Sequence, residues 1–237
     1  MRTAKLSIPM LLFLAVAVSA HSLGVFERPV KLVGTVIPHP AAAPDFTLTD
    51  QKGLPFHMAN TKGKVVVVTF IYTHCTDLRP FVTMKLKNAR EQLGTDADKA
   101  VFVAVTTDPK RDTQNVIAAY SRAAGLFDSW HFLTGPVASV KEVWFNYGVG
   151  VDIGKEPADK PTAKTGSMSD EPEPTQGLST VDVDQARRIA DQFGGGYDVS
   201  HSAPYWIIDR QGRIRASMDA DALPAEIAGN LRALIGR

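Results

Sequence analysis

The sequence predicts an α/β fold in which helices flank a central, mostly parallel sheet and a long loop is inserted late in the chain. Two observations carry this prediction. Runs of β-branched and aromatic residues alternate with segments of helical periodicity, an order that builds β-α-β units. Residues 150–200 depart from this alternation and are rich in Glu, Pro, Asp, Lys, Thr and Ser, which predicts an inserted excursion.

The strands are predicted from alternating patterns and from continuous apolar runs. Residues 65–72 have the sequence VVVVTFIY, which is typical of a central strand buried on both faces. Residues 203–209 and 213–217 flank an Arg-Gln-Gly turn and therefore predict a hairpin. The predicted strands are, in chain order, 46–50, 65–72, 101–107, 130–133, 203–209 and 213–217.

The helices are predicted from apolar residues at helical spacing and from prolines, which favour the first turn of a helix. Pro80 and Pro224 each precede such a pattern. The predicted helices are, in chain order, 80–93, 113–124, 136–147, a short helix at 181–193 inside the excursion, and a terminal helix from 224.

The first twenty residues have the pattern of a secretory signal. Arg2 and Lys5 precede an apolar stretch that closes on Val-Ser-Ala at residues 18–20. Residues 1–20 are therefore predicted to be a signal peptide or an N-terminal anchor. The protein would then be exported, to the periplasm or the outer face of the inner membrane, and its N-terminal segment could contact the membrane surface.

The remaining chain divides at residue 42. Residues 21–41 are rich in proline and predict an extended linker, and residues 42–237 are predicted to form one domain. The formal net charge is +1, and no basic stripe or Lys/Arg block occurs. Proteins that bind nucleic acid need such a patch for the phosphates, so no nucleic-acid partner is expected.

Cys75 is the only cysteine in the chain and follows the predicted central strand. Exported proteins commonly contain disulfides, but a single cysteine cannot form one within the chain. Cys75 is therefore either a small buried hydrophobic residue or a reactive thiol or metal ligand.

Three segments resemble one known family. Residues 70–80, FIYTHCTDLRP, are similar to the strand-to-helix motif of Sco/SenC proteins, commonly written YTHCPDxCP. Residues 106–113, TTDPKRDT, resemble the DPxRDT segment of that family, and residues 201–212, HSAPYWIIDRQG, resemble its histidine, strand and DxxG turn. Because the three occur in the same order, the chain is identified as a member of the Sco/SenC family.

The resemblance implies a thioredoxin-like fold and a role outside the cytoplasm. Members of the family bind copper through two cysteines and one histidine and help to assemble the copper site of cytochrome oxidase, and some act as thiol–disulfide reductants. Cys75 and His201 correspond to the first cysteine and the histidine, and Arg79 stands where the second cysteine is expected. The implied partners are a respiratory oxidase subunit or a copper donor protein.

Arg79 changes the chemistry that the family motif implies. Two thiolates and an imidazole suit Cu(I), whereas a guanidinium removes one soft ligand and adds a permanent charge. Repulsion between unit charges 4 Å apart is about 4 kcal/mol at an effective dielectric of 20, so copper binding through Cys75 and His201 is expected to be weakened. His74 and Met84 are candidates for a third ligand.

Arg79 also favours a second chemistry, because a nearby positive charge and a helix N-terminus both stabilise a thiolate. Cys75 would then be a redox-active thiol and Arg79 the group that stabilises it. Three functions therefore remain open: a copper-binding accessory protein, a metal-free single-thiol redox or sensor protein, and a non-catalytic binding module. The first is a metallochaperone-like role rather than an enzymatic one, and a weak thiol oxidoreductase is the enzymatic alternative.

More ordinary roles stand beside these. His201 is equally consistent with a hydrogen-bonded structural histidine near the end of the sheet. Arg79 is equally consistent with a solvated arginine in the first turn of a helix. Asp108, Arg111 and Asp112 are expected to stabilise their loop and the helix after it.

Overall fold

The computed structural model describes residues 31–74, 79–154, 175–195, 197 and 199–236, with residues 79 and 80 described by their backbone alone. The strands are β1 (Thr35–Val36), β2 (Thr47–Thr49), β3 (Pro55–His57), β4 (Val65–Ile71), β5 (Ala100–Thr106), β6 (His131–Leu133), β7 (Val151–Ile153), β8 (Val199–His201), β9 (Tyr205–Ile208) and β10 (Ile214–Met218). The α-helices are α1 (Arg79–Leu93), α2 (Gln114–Ala123), α3 (Val137–Asn146), α4 (Thr180–Phe193) and α5 (Pro224–Ile235). No helix among the described residues is both long and apolar enough to cross a membrane.

Six strands form the central sheet, in the order β1-β10-β9-β4-β5-β6. Strands β4, β5 and β6 are parallel, as expected for strands joined by the helical crossovers α1 and α2. The sheet is nevertheless mixed rather than mostly parallel, because β9 pairs antiparallel with both β4 and β10 and β1 pairs antiparallel with β10. The predicted α/β fold is confirmed, with this change in the sheet.

Strand β4 is the centre of the fold, and all seven of its residues are buried. Its side chains alternate between two hydrophobic clusters. Val65, Val67 and Ile71 belong to the cluster that includes residues of α1, α4 and α5. Residues on the opposite face of the sheet, such as Val68 and Phe70, belong to the cluster that includes residues of α3 and the β2–β3 hairpin. The prediction of a strand buried on both faces is confirmed.

The segment before residue 42 is packed onto the domain, which differs from the predicted linker. Strand β1 pairs with β10, and Leu32 joins the main hydrophobic cluster. The side-chain amide of Asn230 accepts from the backbone N–H of Val33 at 2.8 Å and donates to its carbonyl oxygen at 2.9 Å. Proline-rich composition does indicate extended backbone, but extended backbone can also add a strand to the edge of a sheet. Residues 1–30, with the predicted signal peptide, lie outside the described residues.

The excursion at 150–200 is partly built into the domain. Its helix α4 packs against α1 and buries Ala186 and Ile189 in the main cluster. Ser179 caps this helix, accepting a hydrogen bond from the backbone N–H of Asp182. Strands β7 and β8, which were not predicted, pair antiparallel close to the two ends of the excursion.

Candidate metal and thiol site

The predicted site residues are described to different extents. Cys75 lies outside the described residues, together with 76–78. Arg79 is the first residue of α1, and its side chain is likewise outside the description. The surroundings of the site are therefore defined by the three residues that precede Cys75, by the loop after β5, and by His201.

His201 lies beside the strand end that leads to Cys75. It is the last residue of β8, and its ring packs edge-on against the Tyr72 ring with centroids 5.9 Å apart. Its Nδ1 is 2.8 Å from the carbonyl oxygen of Ser202. Since a carbonyl can only accept, Nδ1 carries the proton, and in a neutral imidazole Nε2 then carries the lone pair. The histidine thus has the tautomer in which Nε2 can act as a metal ligand.

Asp112 organises the end of β4 from the loop after β5. Its carboxylate is fully buried and accepts hydrogen bonds from the Thr73 backbone N–H at 3.2 Å and the Thr73 hydroxyl at 2.5 Å. It also accepts from the Thr106 hydroxyl at 2.6 Å. This carboxylate joins the ends of two neighbouring strands at the point where the chain turns toward Cys75. Asp112 thus has a structural role, but its carboxylate joins two strand ends, whereas the sequence led us to expect it to stabilise its loop and the following helix.

The two candidate third ligands lie in different environments. His74 is partly exposed, and its Nδ1 lies 2.8 Å from the Thr73 hydroxyl and 3.7 Å from Asp112 Oδ1. Met84 is fully buried in the main hydrophobic cluster. His74 is therefore adjacent to the site, whereas Met84 contributes to the packing of the core and could bind a metal only by leaving it.

Asp108 and Arg111 form an ion pair in the same loop, and Tyr197 joins them. The Arg111 Nε donates to the buried Asp108 carboxylate, and the Tyr197 hydroxyl donates to Asp108 Oδ1 at 2.8 Å. Burial, followed by this hydrogen bond, raises the pKa of Tyr197 to about 12. Sequence reasoning did not identify Tyr72 or Tyr197 as part of the site. Tyr72 belongs to the motif at residues 70–80, and this was the one sequence signal that could have identified it.

The other described histidines lie elsewhere. His131 is 3.3 Å from Asp50 and packs on Phe56, and burial lowers its pKa. His57 bonds to the Thr47 hydroxyl on the β2–β3 hairpin. Among the described residues, which exclude Cys75, no group of three His, Cys, Asp or Glu side chains is arranged to hold a metal ion.

Comparison with known proteins identifies the family. Residues 35–169, more than half of the chain, match the SCO1/SenC family. The chain is 32% identical over 123 residues to mouse protein SCO2 homolog, mitochondrial, covering 49% of this chain and 46% of the mouse protein. It is 28% identical over 91 residues to the SCO1 protein homolog of Bacillus subtilis, covering 38% of this chain and 47% of that protein. The chain thus spans about half the length of the curated relatives it matches.

The fold also agrees with solved structures. A structure of Bradyrhizobium japonicum ScoI with copper bound is 25% identical to this chain, with a TM-score of 0.58. The match covers 82% of this chain and 99% of that one. The family match includes the segments that contain Cys75 and Arg111 and ends before His201. The contact with Tyr72 places His201 beside the end of β4, and its role in the site stays a prediction.

Proposed function

Because the chain belongs to the SCO1/SenC family, we propose that it is an extracytoplasmic copper-binding accessory protein with an incomplete site. Its role would be assembly of the copper site of a respiratory oxidase, or copper homeostasis, and its partners an oxidase subunit or a copper donor protein. The copper bound to the similar Bradyrhizobium japonicum protein supports the choice of metal.

The contact between His201 and Tyr72 is the observation that carries this proposal. Tyr72 lies three residues before Cys75 in the sequence, and the imidazole lies against this strand end. A thiolate and a neutral imidazole are both good donors for Cu(I). The tautomer with the proton on Nδ1 presents Nε2 for coordination, and the Ser202 carbonyl fixes that tautomer.

Arg79 sets the expected strength of binding. It occupies the first position of α1, where the family motif has its second cysteine. A site with one thiolate and one imidazole has lost a soft donor and gained a neighbouring cation. We therefore propose weak Cu(I) binding, which an outside ligand from a partner would strengthen.

Competition against a Cu(I) chelator tests this function. Wild type should withdraw measurable Cu(I), and Cys75→Ser and His201→Ala should each withdraw less. His39→Ala is the matched control, because His39 is exposed and lies in the segment after β1. Equal binding by wild type and Cys75→Ser would contradict the proposal.

A metal-free redox role is the second candidate, and it is favoured by the start of α1 four residues after Cys75. The helix dipole and the Arg79 charge would hold the pKa of the Cys75 thiol below its ordinary value of about 8.5. The midpoint of the alkylation rate plotted against pH should move to higher pH in Arg79→Ala. If wild type binds no copper and its Cys75 thiol has the same pKa as in Arg79→Ala, both of these functions are contradicted. The non-catalytic binding module is then the function that remains.

Export is part of the proposal and has its own test. A phosphatase that is active only outside the cytoplasm can be fused after residue 30, ahead of the packed segment that begins near Leu32. We expect activity with residues 1–30 present and none when residues 1–20 are removed. A second reporter that is active only in the cytoplasm can be fused at the same position. Activity of that reporter, without activity of the phosphatase, would contradict export.

A further inference from the structure

Arg111 lies in the turn after β5, and its side chain is mostly enclosed, with 16% exposed. Its Nε donates to the Asp108 carboxylate, which is fully buried. A charged hydrogen bond of this kind fixes the plane of the guanidinium and neutralises it locally. The orientation of Arg111 is thus set within its own turn.

The same guanidinium holds the segment that precedes β8. Its central carbon lies 3.6 Å from the centroid of the Tyr197 ring, and its Nη1 donates to the Gly195 carbonyl at 2.9 Å. The Tyr197 hydroxyl donates a hydrogen bond to Asp108 Oδ1 at 2.8 Å. A cation over an aromatic face is attracted to it, and more strongly where water is excluded. The ion pair therefore contacts residues six and four positions before His201.

Tyr72 connects this cluster to the histidine itself. The Arg111 guanidinium lies 5.6 Å from the Tyr72 ring centroid, and the Tyr72 ring contacts the His201 ring. The Tyr72 hydroxyl also accepts a hydrogen bond from the Val199 backbone N–H at 3.2 Å. Tyr72 and Val199 form a small hydrophobic cluster of their own, separate from the two main ones. The contacts that attach β8 to the end of β4 are therefore separate from the packing of the two main clusters.

We propose that Arg111 is a positioning residue that, through Tyr72 and Tyr197, holds the His201 strand against the strand end leading to Cys75. The positioning itself depends only on the contacts given above. Its consequence for copper rests on the proposed function: residues that orient a metal ligand typically change metal affinity by roughly 10–100-fold when they are lost.

Hydrogen exchange of the full-length, metal-free protein tests the positioning. Arg111→Ala removes the cation, and Tyr197→Leu removes the aromatic face but leaves the Arg111–Asp108 pair intact, so that no buried charge is left unpaired. Arg122→Ala is the matched control, because Arg122 also lies over an aromatic ring, that of Phe127 at 4.3 Å, away from β8.

In Arg111→Ala and in Tyr197→Leu, the Val199 amide should exchange about tenfold faster or more than in wild type. Exchange in β4 and β5 should stay as in wild type. Arg111→Lys, which keeps the charge but not the fork of donors, should fall between wild type and Arg111→Ala. The control should match wild type. Acceleration throughout the chain, or none in the Val199 amide, would overturn the proposal.

Cu(I) competition on the same variants separates this inference from the proposed function. If wild type binds Cu(I), Arg111→Ala and Tyr197→Leu should bind it roughly 10–100-fold more weakly, and unchanged affinity would overturn the positioning role in copper binding. If wild type binds no Cu(I) while exchange of the Val199 amide still accelerates, the copper function fails and the positioning of the histidine strand stands.

Discussion

Asp112 accepts hydrogen bonds from both the backbone N–H and the hydroxyl of Thr73, a residue 39 positions earlier in the chain. This is a contact between the loop after β5 and the end of β4. Thr73 precedes His74 and Cys75 directly, so the direction in which the chain leaves the sheet is set by a carboxylate from the neighbouring loop. Because the carboxylate is buried, it is stabilising only when its hydrogen bonds are all made.

Asp112→Ala should lower the free energy of unfolding by about 3 kcal/mol, because it leaves the Thr73 and Thr106 donors without their buried acceptor. Urea denaturation measures the loss. Asp128→Ala is the matched control, since Asp128 is 84% exposed and pairs with Lys52 at the surface. Its loss should change stability by well under about 1 kcal/mol. Equal effects of the two substitutions would contradict a structural role for Asp112.

Gly34→Ala should destabilise the protein more than Gly63→Ala. Both glycines have almost the same positive φ, +91° and +92°, so each substitution is expected to carry the cost of a side chain at positive φ, roughly 1–2 kcal/mol. A Cβ at Gly34 would lie 2.4 Å from the Ser217 carbonyl oxygen, whereas one at Gly63 meets no described atom within 4 Å. The difference in unfolding free energy therefore measures the docking of β1 on β10.

The same pair of variants tests the early start of the domain. If residues 31–41 were a linker, Gly34→Ala would have little effect on urea denaturation and would cost less than Gly63→Ala. We expect Gly34→Ala to lose about 1 kcal/mol or more beyond Gly63→Ala, the size of effect seen when a backbone position is strained.

Lys85 predicts an unusual dependence of stability on pH. Its side chain is 1% exposed and its Nζ donates to the carbonyl oxygens of Ala220 and Asp221. Burial lowers the pKa of Lys85 from 10.5, and the carboxylates of Asp221 and Glu226 oppose this shift only in part. At pH values between the lowered pKa and 10.5, the unfolded chain therefore binds more protons than the folded chain.

In that alkaline window the free energy of unfolding of wild type should rise with pH relative to Lys85→Met, which carries no such proton. Urea denaturation of both proteins from neutral pH to about pH 10 gives the difference. Lys141→Met, at an exposed position of α3, is the control; it retains Lys85 and should keep the pH dependence of wild type. A difference that is flat or that falls as pH rises would contradict the burial of a charged Lys85.

Arg79→Cys should restore tight Cu(I) binding. Position 79 is the first residue of α1, and positions 75 and 79 are about one helical turn apart in sequence. The substitution replaces a repulsive charge with a soft donor, so the Coulomb and coordination effects act in the same direction. Competition against a Cu(I) chelator should give roughly 100-fold tighter binding, or more, than wild type.

Arg79→Ala separates the two effects, because it removes the charge without adding a ligand. It should bind Cu(I) more tightly than wild type, because the repulsion is gone, but less tightly than Arg79→Cys, which also adds a soft donor. Equal affinity of Arg79→Cys and wild type would mean that His201, although it lies against Tyr72, does not complete a three-ligand site.

The long elements of the fold could be predicted because their patterns are long. Seven consecutive buried residues in β4 leave few alternatives, and the helix beginning at Pro224 buries Ile227, Leu231 and Leu234 as its spacing predicts. Strands β7 and β8 were not predicted because each has only three residues and lies within the range 150–200, whose polar and proline-rich composition indicates a loop.

The contacts around the candidate site could be predicted only in part. The resemblance to a known motif identified Asp108, Arg111 and Asp112 as a group, but not which partners each would have. The partners of Asp112 and Arg111 lie 39 and 86 positions away, at Thr73 and Tyr197. Such pairings depend on how β4, β5 and β8 come together, which local sequence does not encode. The same reason explains why Lys85 could not be identified as a buried lysine.

The register of β7 and β8 has a consequence for how the family can vary. Val151 pairs with His201 and Ile153 with Val199, so the two ends of a long stretch of chain meet side by side, like the stem of a loop. Outside α4, which packs on α1, a longer connection adds only to the cost of closing the loop, by about 0.6 kcal/mol for each doubling of length. The pairing of the stem and the contact with Tyr72 together hold the imidazole. A peptide inserted between β7 and α4 is therefore expected to leave the histidine beside Tyr72, which makes this junction a natural point for grafting new partner specificity.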